Sequence, residues 1–291
     1  MKIDGYTRTC GLFGNPVEHT MSPAIHNTLA QEMGLNLVYV PFHVPEGRIG
    51  QAVEGAFALN LLGCNVTIPY KTEVIPFLKE IDPLADRIGS VNTLVRLGDG
   101  FKGYNTDMPG LYRAMCEDGA EVTGRQVILL GAGGVARAVA MLLGERMAEK
   151  VYILNRSQEK AQALAKEVNA VYDREFAVGL SLSDYKTLPD RKYLCIQATN
   201  VGMFPKMDEA VIEDAEFYQK ISIGYDLIYN PLDTRFMQLV RAAGGQAFHG
   251  LKMLLWQGIL AYEYWTGEQV SKEQSDKAYQ AMKRAMGIAA D

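Results

Sequence analysis

The chain has 291 residues, 48% hydrophobic and 22% charged, a composition of ordinary globular protein with enough apolar material for two domains, each with its own core. Its net charge of −5 argues against nucleic acid or an anionic membrane surface as the main partner, and Arg137 breaks the longest apolar run well short of membrane-spanning length. The opening MKIDGYTRTC lacks the apolar stretch of a signal peptide, and Cys10, Cys64, Cys116 and Cys195 are too scattered for a C-x-x-C metal pair or a small disulfide framework, so a cytoplasmic protein with reduced thiols is expected.

In the first third, strand and helix signals alternate. Thr9–Phe13, Leu37–Val44 and Leu61–Ile68 read as strands, Ser22–Met33 and Glu46–Leu59 as helices, with turn residues between. This βαβ rhythm predicts a mainly parallel sheet. Val91–Leu97 and Gly100–Tyr104, joined by Gly98-Asp99, predict a hairpin added at its edge, and a helix over about Pro109–Cys116 leads to the next domain.

The stretch Gln126–Gly144, QVILLGAGGVARAVAMLLG, changes periodicity abruptly. Val127–Leu130 is a continuous apolar run suited to a strand buried on both faces. Gly131, Gly133 and Gly134 follow, and Val135, Ala138, Val139, Met141 and Leu142 then recur at helical spacing. Without side chains at Gly131 and Gly133 the main chain can turn sharply and let a pyrophosphate approach the free amides of the helix N-terminus, with Ala136 in the close-packing place of G-x-G-x-x-G/A. Strand, glycine turn and helix together read as a dinucleotide site. Val151–Leu154, Tyr193–Gln197, Ile221–Asp226 and Gln246–Phe248 add strands and Gln158–Val168 a helix, which gives an open doubly wound sheet. Leu251–Trp265 and a last helix opened by the S-x-x-Q box of Ser271 and Gln274 close the chain.

Other segments allow a structural and a chemical reading side by side. In GNPVEHTMSPAIHN, Ser22 before Pro23 suits a helix N-cap, whereas Thr20 two residues earlier has no such role, and the hydroxyls could hold a carboxylate at the helix start. In NVTIPYK, Lys71 lies just past a strand end, where open α/β sheets form ligand crevices, or is a solvated loop lysine. Asp107 in GYNTDMPG could be a turn or helix-start residue. His19, His26, His43 and His249 are too dispersed for a metal site, and His26 is expected to be a satisfied helix residue. Gln257 reads as helix surface or as a polar group aimed at a ligand.

Taken together these segments resemble the shikimate dehydrogenase family. GNPVEHTMSPAIHN is similar to its carboxylate-binding segment, NVTIPYK to its catalytic lysine motif, and SVNTL with GYNTD to its second substrate loop and aspartate. LLGAGGVARA resembles its dinucleotide turn and NRSQEKA its cofactor-phosphate loop, while ATNVGM, YDLIYNPLDT and GLKMLLWQ resemble its remaining landmarks, in the same order from about Gly11 to Gln257. The resemblance implies Lys71 and Asp107 as the catalytic pair. It implies Thr20, Ser22 and Tyr229 around a substrate carboxylate, and Thr67, Asn92 and Gln257 near ring hydroxyls. For the nucleotide it implies Gly131, Ala132, Gly133, Gly134 and Val135, then Asn155, Arg156, Ser157 and Lys160, with Thr199 and Gly250. Where the family commonly has serine, this chain has Thr20.

A two-domain α/β enzyme is therefore expected. Residues 1–107 with helices in 249–291 would form a mainly parallel α/β substrate-binding domain, residues 108–248 a Rossmann-type nucleotide domain, with the site in the cleft. The implied reaction is the reversible NADP-dependent reduction of 3-dehydroshikimate to shikimate, a step toward aromatic amino acids, with no metal and either a monomer or a homodimer. A developing alkoxide needs a proton donor and a positive charge; Lys71 can supply both, and Asp107 would stabilise and orient the ammonium. NADP rather than NAD is expected because the second Rossmann strand ends in Asn155-Arg156-Ser157, with Lys160 a turn later, where an NAD site usually has an acidic residue. A quinate or dual quinate/shikimate dehydrogenase is the alternative within the class; a catalytically silent ligand sensor on the same fold is the alternative outside it, and should have lost Lys71 or Asp107.

Overall fold

A computed structural model describes residues 3–288. The chain divides into two compact units, Met1–Gly110 with Leu254–Asp291, and Leu111–Met253.

The first unit begins with β1 (Arg8–Gly14), α1 (Ser22–Glu32), β2 (Leu37–His43), α2 (Ile49–Ala58) and β3 (Gly63–Val66). It continues through β4 (Glu80–Ile81), α3 (Pro83–Ile88), β5 (Thr93–Arg96) and β6 (Phe101–Tyr104) into α4 (Asp107–Glu117). The sheet order is β2-β1-β3-β5-β6-β4. β1 pairs in parallel with β2 and β3, and β5 and β6 form the antiparallel hairpin that was expected. That hairpin lies one strand in from the edge, because β4, too short to register as a strand in the sequence, pairs in parallel outside β6. α2 starts three residues later than its apolar pattern suggests: Gly47 takes φ +70°, a left-handed conformation incompatible with the helix. β3 stops at Val66, since the Thr67 carbonyl accepts from the Tyr70 N–H and closes a turn before Lys71. Val53, Cys64, Val66, Tyr70, Leu94 and Phe101 bury the core of this unit beneath one sheet face.

The second unit holds β7 (Gln126–Leu130), α5 (Gly134–Glu145), β8 (Lys150–Asn155), α6 (Gln158–Tyr172) and β9 (Ala177–Ser181). β10 (Tyr193–Gln197), α7 (Ala215–Gln219), β11 (Ile221–Asp226), α8 (Arg235–Ala242) and β12 (Gln246–His249) follow. Its sheet is parallel throughout, in the order β12-β11-β10-β7-β8-β9, the reversal at β7/β10 being that of a doubly wound Rossmann sheet. Val127–Leu130 are fully buried, as a strand covered on both faces requires, and each such side chain contributes roughly 1.5–3 kcal/mol by leaving water. α9 (Leu251–Thr266) and α10 (Lys272–Ala285) end the chain. α10 opens with the expected reciprocal box: Ser271 N–H donates to Gln274 Oε1 (2.8 Å) and Gln274 N–H to Ser271 Oγ (3.3 Å).

All four cysteines are free thiols, and burial pushes those of Cys10, Cys64 and Cys195 up in pKa, Cys10 to about 12. No helix among the described residues is long and apolar enough to cross a membrane.

Candidate active site

In the first unit the polar residues gather beyond the C-terminal ends of parallel strands. Thr20 and Ser22 follow β1, and Thr67 and Lys71 follow β3. α1 begins at Ser22 itself; the preceding Met21 offers no side-chain cap, and Thr20 Oγ1 accepts the Ser22 N–H at 3.3 Å. Ser22 is therefore not the N-cap that Ser-Pro suggested, and its hydroxyl is not committed to the helix end. Thr67 stands against Gly14: a Cβ there would lie 2.4 Å from Thr67 Cγ2, so the bare backbone at the end of β1 makes room for this threonine.

Lys71 Nζ donates to Asp107 Oδ2 at 2.6 Å, and the two side chains are 32% and 19% exposed, so the pair is within reach of a ligand. Asp107 sits in the first turn of α4, but Asn105 does the capping there, its Oδ1 accepting the Met108 N–H at 3.2 Å. The other Asp107 oxygen accepts from Asn92 Nδ2 at 2.9 Å. The turn-residue reading of Asp107 therefore gives way to a carboxylate shared by a lysine and an asparagine that are distant in sequence. Gln257, on α9 in the same unit, is buried rather than on the helix surface, with Nε2 donating to the Leu254 carbonyl at 2.9 Å.

His26 departs from expectation. It is fully buried, stacked on Tyr39 with ring centroids 4.2 Å apart, and neither ring nitrogen has a hydrogen-bond partner. Burial drives its pKa down to about 3 against the opposing influence of the nearby Asn65 side chain, which does not reach either nitrogen in good hydrogen-bond geometry, so it is a neutral core residue. No group of three or more His, Cys, Asp or Glu among the described residues could hold a metal ion.

In the second unit a cavity of about 800 Å³ lies past the ends of β7, β8, β10 and β11. It is lined by Gly131–Val135 from the glycine turn, by Asn155, Arg156, Ser157 and Lys160, by Thr199, and by Tyr229, which is 41% exposed. Gly131 has φ +113°, which only glycine adopts freely, and any Cβ there would meet Thr199 Cγ2 at 2.9 Å. At Gly133, the N-cap of α5, and at Gly134, a Cβ would meet no atom within 4 Å, so open space lies over the helix N-terminus, as a pyrophosphate on those amides needs. Ser157 caps α6 through the Lys160 N–H (3.3 Å), while Arg156 and Lys160, both exposed, have no ion-pair partner among the described residues. The cavity thus fits a dinucleotide with an additional phosphate.

Gly250 does not line this cavity. It packs behind it, where a Cβ would lie 2.4 Å from the Leu227 carbonyl oxygen, and its N–H donates to the Ile228 carbonyl. Sequence reading also passed over Asp226. Its Oδ1 accepts from the Ile228 N–H (3.0 Å) and Gln197 Nε2 (3.3 Å), its Oδ2 from Thr234 Oγ1 (2.6 Å), and Gln197 Oε1 in turn accepts the Thr199 N–H. This buried network ties together the two loops that carry Thr199 and Tyr229. Burial raises the Asp226 pKa to about 6, the Thr234 and Ile228 bonds opposing it. The signal was present in YDLIYNPLDT as an aspartate ending an apolar strand.

Residues 12–94 match the shikimate dehydrogenase substrate binding domain, 115–200 match shikimate / quinate 5-dehydrogenase, and 250–275 match the shikimate 5'-dehydrogenase C-terminal domain. The shikimate dehydrogenase (NADP(+)) of Desulforamulus reducens is 43% identical over 91% of this chain and 92% of its own. That of Carboxydothermus hydrogenoformans is 40% identical over 99% of both chains. The crystal structure of shikimate 5-dehydrogenase from Thermus thermophilus, in complex with NADP(H) and shikimate, superposes with a TM-score of 0.82 at 32% identity, covering 96% of this chain and 100% of the other. The chain belongs to the shikimate dehydrogenase family.

Proposed function

We infer that this protein catalyses the reversible NADP-dependent reduction of 3-dehydroshikimate to shikimate. The observation that carries the reading is the Lys71–Asp107 pair, 2.6 Å apart and held by Asn92, in a chain whose close relatives are named for this reaction. Bound NADPH supplies the hydride. In the reducing direction Lys71 holds a proton at the ketone oxygen and places its positive charge where the alkoxide develops. Asp107 accepts from Lys71 and so fixes the ammonium. Thr20 and Ser22 suit a carboxylate, their hydroxyls standing at the start of α1, and the family resemblance assigns Tyr229 to the same group; Thr67, Asn92 and Gln257 suit the ring hydroxyls. Asn155, Arg156, Ser157 and Lys160 suit the 2′-phosphate side of the nucleotide, and the Gly131–Val135 turn its pyrophosphate. A silent sensor has no use for an ion pair kept intact at the site.

The purified enzyme should reduce NADP+ in the presence of shikimate, followed by the absorbance of NADPH. Lys71→Ala should lower kcat by on the order of 10²–10⁴ while KM moves much less, the pattern of a lost general acid/base. Near-normal turnover by Lys71→Ala removes Lys71 from the mechanism.

A further inference from the structure

Behind the Lys71–Asp107 pair, a row of buried side chains hands hydrogen bonds forward in one direction. Tyr39 Oη donates to Asn65 Oδ1 (2.8 Å), Asn65 Nδ2 to Thr93 Oγ1 (3.1 Å), Thr93 Oγ1 to Asn92 Oδ1 (3.1 Å), and Asn92 Nδ2 to Asp107 Oδ1 (2.9 Å). All but Asp107 are buried.

Two main-chain groups fix which way the amides point. The Asn92 carbonyl oxygen, 3.3 Å from Asn65 Nδ2, can only accept, so the Asn65 nitrogen must face it and the Asn65 oxygen must face Tyr39. The Thr106 N–H, 2.7 Å from Asn92 Oδ1, can only donate, so the Asn92 oxygen lies on that side and its nitrogen faces Asp107. Because Asn65 donates into Thr93 Oγ1, the Thr93 hydroxyl has its own proton to give, to Asn92 Oδ1 directly or to the Thr106 hydroxyl 3.1 Å away, which itself reaches Asn92 Oδ1.

We propose that Thr93, oriented from behind by Asn65 and Tyr39, is a positioning residue that holds the Asn92 amide so that Asp107 receives a donor on one oxygen while Lys71 takes the other. The proposal rests on Lys71 and Asp107 being the catalytic pair. If the Asn92 amide turns, an oxygen faces the carboxylate, Asp107 is free to rotate, and the Lys71 ammonium follows it. Thr106 also serves Asn92 Oδ1, through its N–H and its hydroxyl (3.1 Å), so loss of Thr93 loosens the arrangement without abolishing it.

Steady-state kinetics of shikimate oxidation on wild type, Thr93→Val, Thr93→Ser, Tyr39→Phe and Lys71→Ala test this, with melting temperatures alongside. Thr93→Val should lower kcat about tenfold, within the range that a misplaced catalytic group costs, with KM for NADP+ unchanged. Thr93→Ser, which keeps the hydroxyl, should restore kcat. Tyr39→Phe keeps the ring stacked on His26 and should lower kcat in the same direction by roughly threefold, which covers the case in which Thr93→Val does not fold. Wild-type kcat in a folded Thr93→Val, wild-type kcat in Tyr39→Phe where Thr93→Val does not fold, or a Thr93→Ser as impaired as Thr93→Val, overturns the proposal while a dead Lys71→Ala leaves the catalytic pair standing. A fully active Lys71→Ala overturns the pair, and the proposal with it.

Discussion

The buried imidazole of His26 gives the fold an acid-sensitive point. Its pKa is about 3 in the folded protein and 6.5 for the ordinary group, so the unfolded chain binds the extra proton between those values. Stability from this residue is fully present above pH 6.5 and is lost as pH falls toward 3, by up to about 1.4 kcal/mol per pH unit. Asp226 has the opposite sign: its folded pKa, about 6 against 3.8, makes the native state the better proton binder, so its contribution declines as pH rises from 3.8 to 6. The two partly cancel in wild type, and a variant-minus-wild-type comparison separates them. His26→Phe keeps a ring against Tyr39 and removes two buried nitrogens that make no hydrogen bond of good geometry. In urea unfolding at pH 7 and pH 5 it should lose markedly less stability on acidification than wild type; an equal loss would show that His26 is not the group that titrates. Sequence reading missed this role because helical spacing shows that a histidine faces inward without showing whether anything there can accept its hydrogen bond.

At the scale of single elements, the proposed function puts cofactor choice in the turn after β8. Arg156 and Lys160 line the cavity with no acidic partner among the described residues, and β8 ends in Asn155 instead of the acidic residue that would repel a 2′-phosphate. Arg156→Ala should raise KM for NADP+ about tenfold, the worth of one charge-assisted contact of roughly 1.4 kcal/mol, and leave KM for NAD+ nearly unchanged. A parallel rise for both nucleotides would place Arg156 on a part of the molecule common to the two. Elements with a long apolar run or a glycine turn, such as β7 and the start of α5, were legible because local sequence and buried environment agree. β9 was not: Gly179 interrupts its pattern, yet a Cβ there would lie 2.2 Å from the Ala161 backbone, so the residue that weakens the strand signal is the one that lets α6 pack on it. α3 and α7, with six and five residues, are too short to show helical periodicity, and β4 is held by pairing with β6 alone.

For the whole molecule, the doubly wound sheet and the parallel core of the first unit follow from the alternation of elements, and the glycine turn pointed to a nucleotide. Lys71, Asn92 and Asp107 could not be joined by spacing, since each has an ordinary local role; only resemblance singled them out before the fold brought them within hydrogen-bond distance. The relay behind them was invisible for the same reason, its members coming from β2, β3 and β5. Substrate choice is the property of the assembled protein that one experiment reads most directly: kcat/KM of the purified enzyme for shikimate and for quinate, each with NADP+ and with NAD+. Quinate is saturated at C1 and carries an added hydroxyl there, and with Thr20 in its proposed place the methyl would narrow the space beside the carboxylate relative to serine. Hydroxyls proposed for the carboxylate would be able to rotate to either ligand, and one added hydroxyl is seldom rejected by more than roughly 10²-fold unless it leaves a buried polar group unpaired. Shikimate with NADP+ should be the most efficient pair, and quinate should be oxidised detectably but less efficiently with the same cofactor; quinate as the equal or better substrate, or NAD+ matching NADP+, would contradict the assignment.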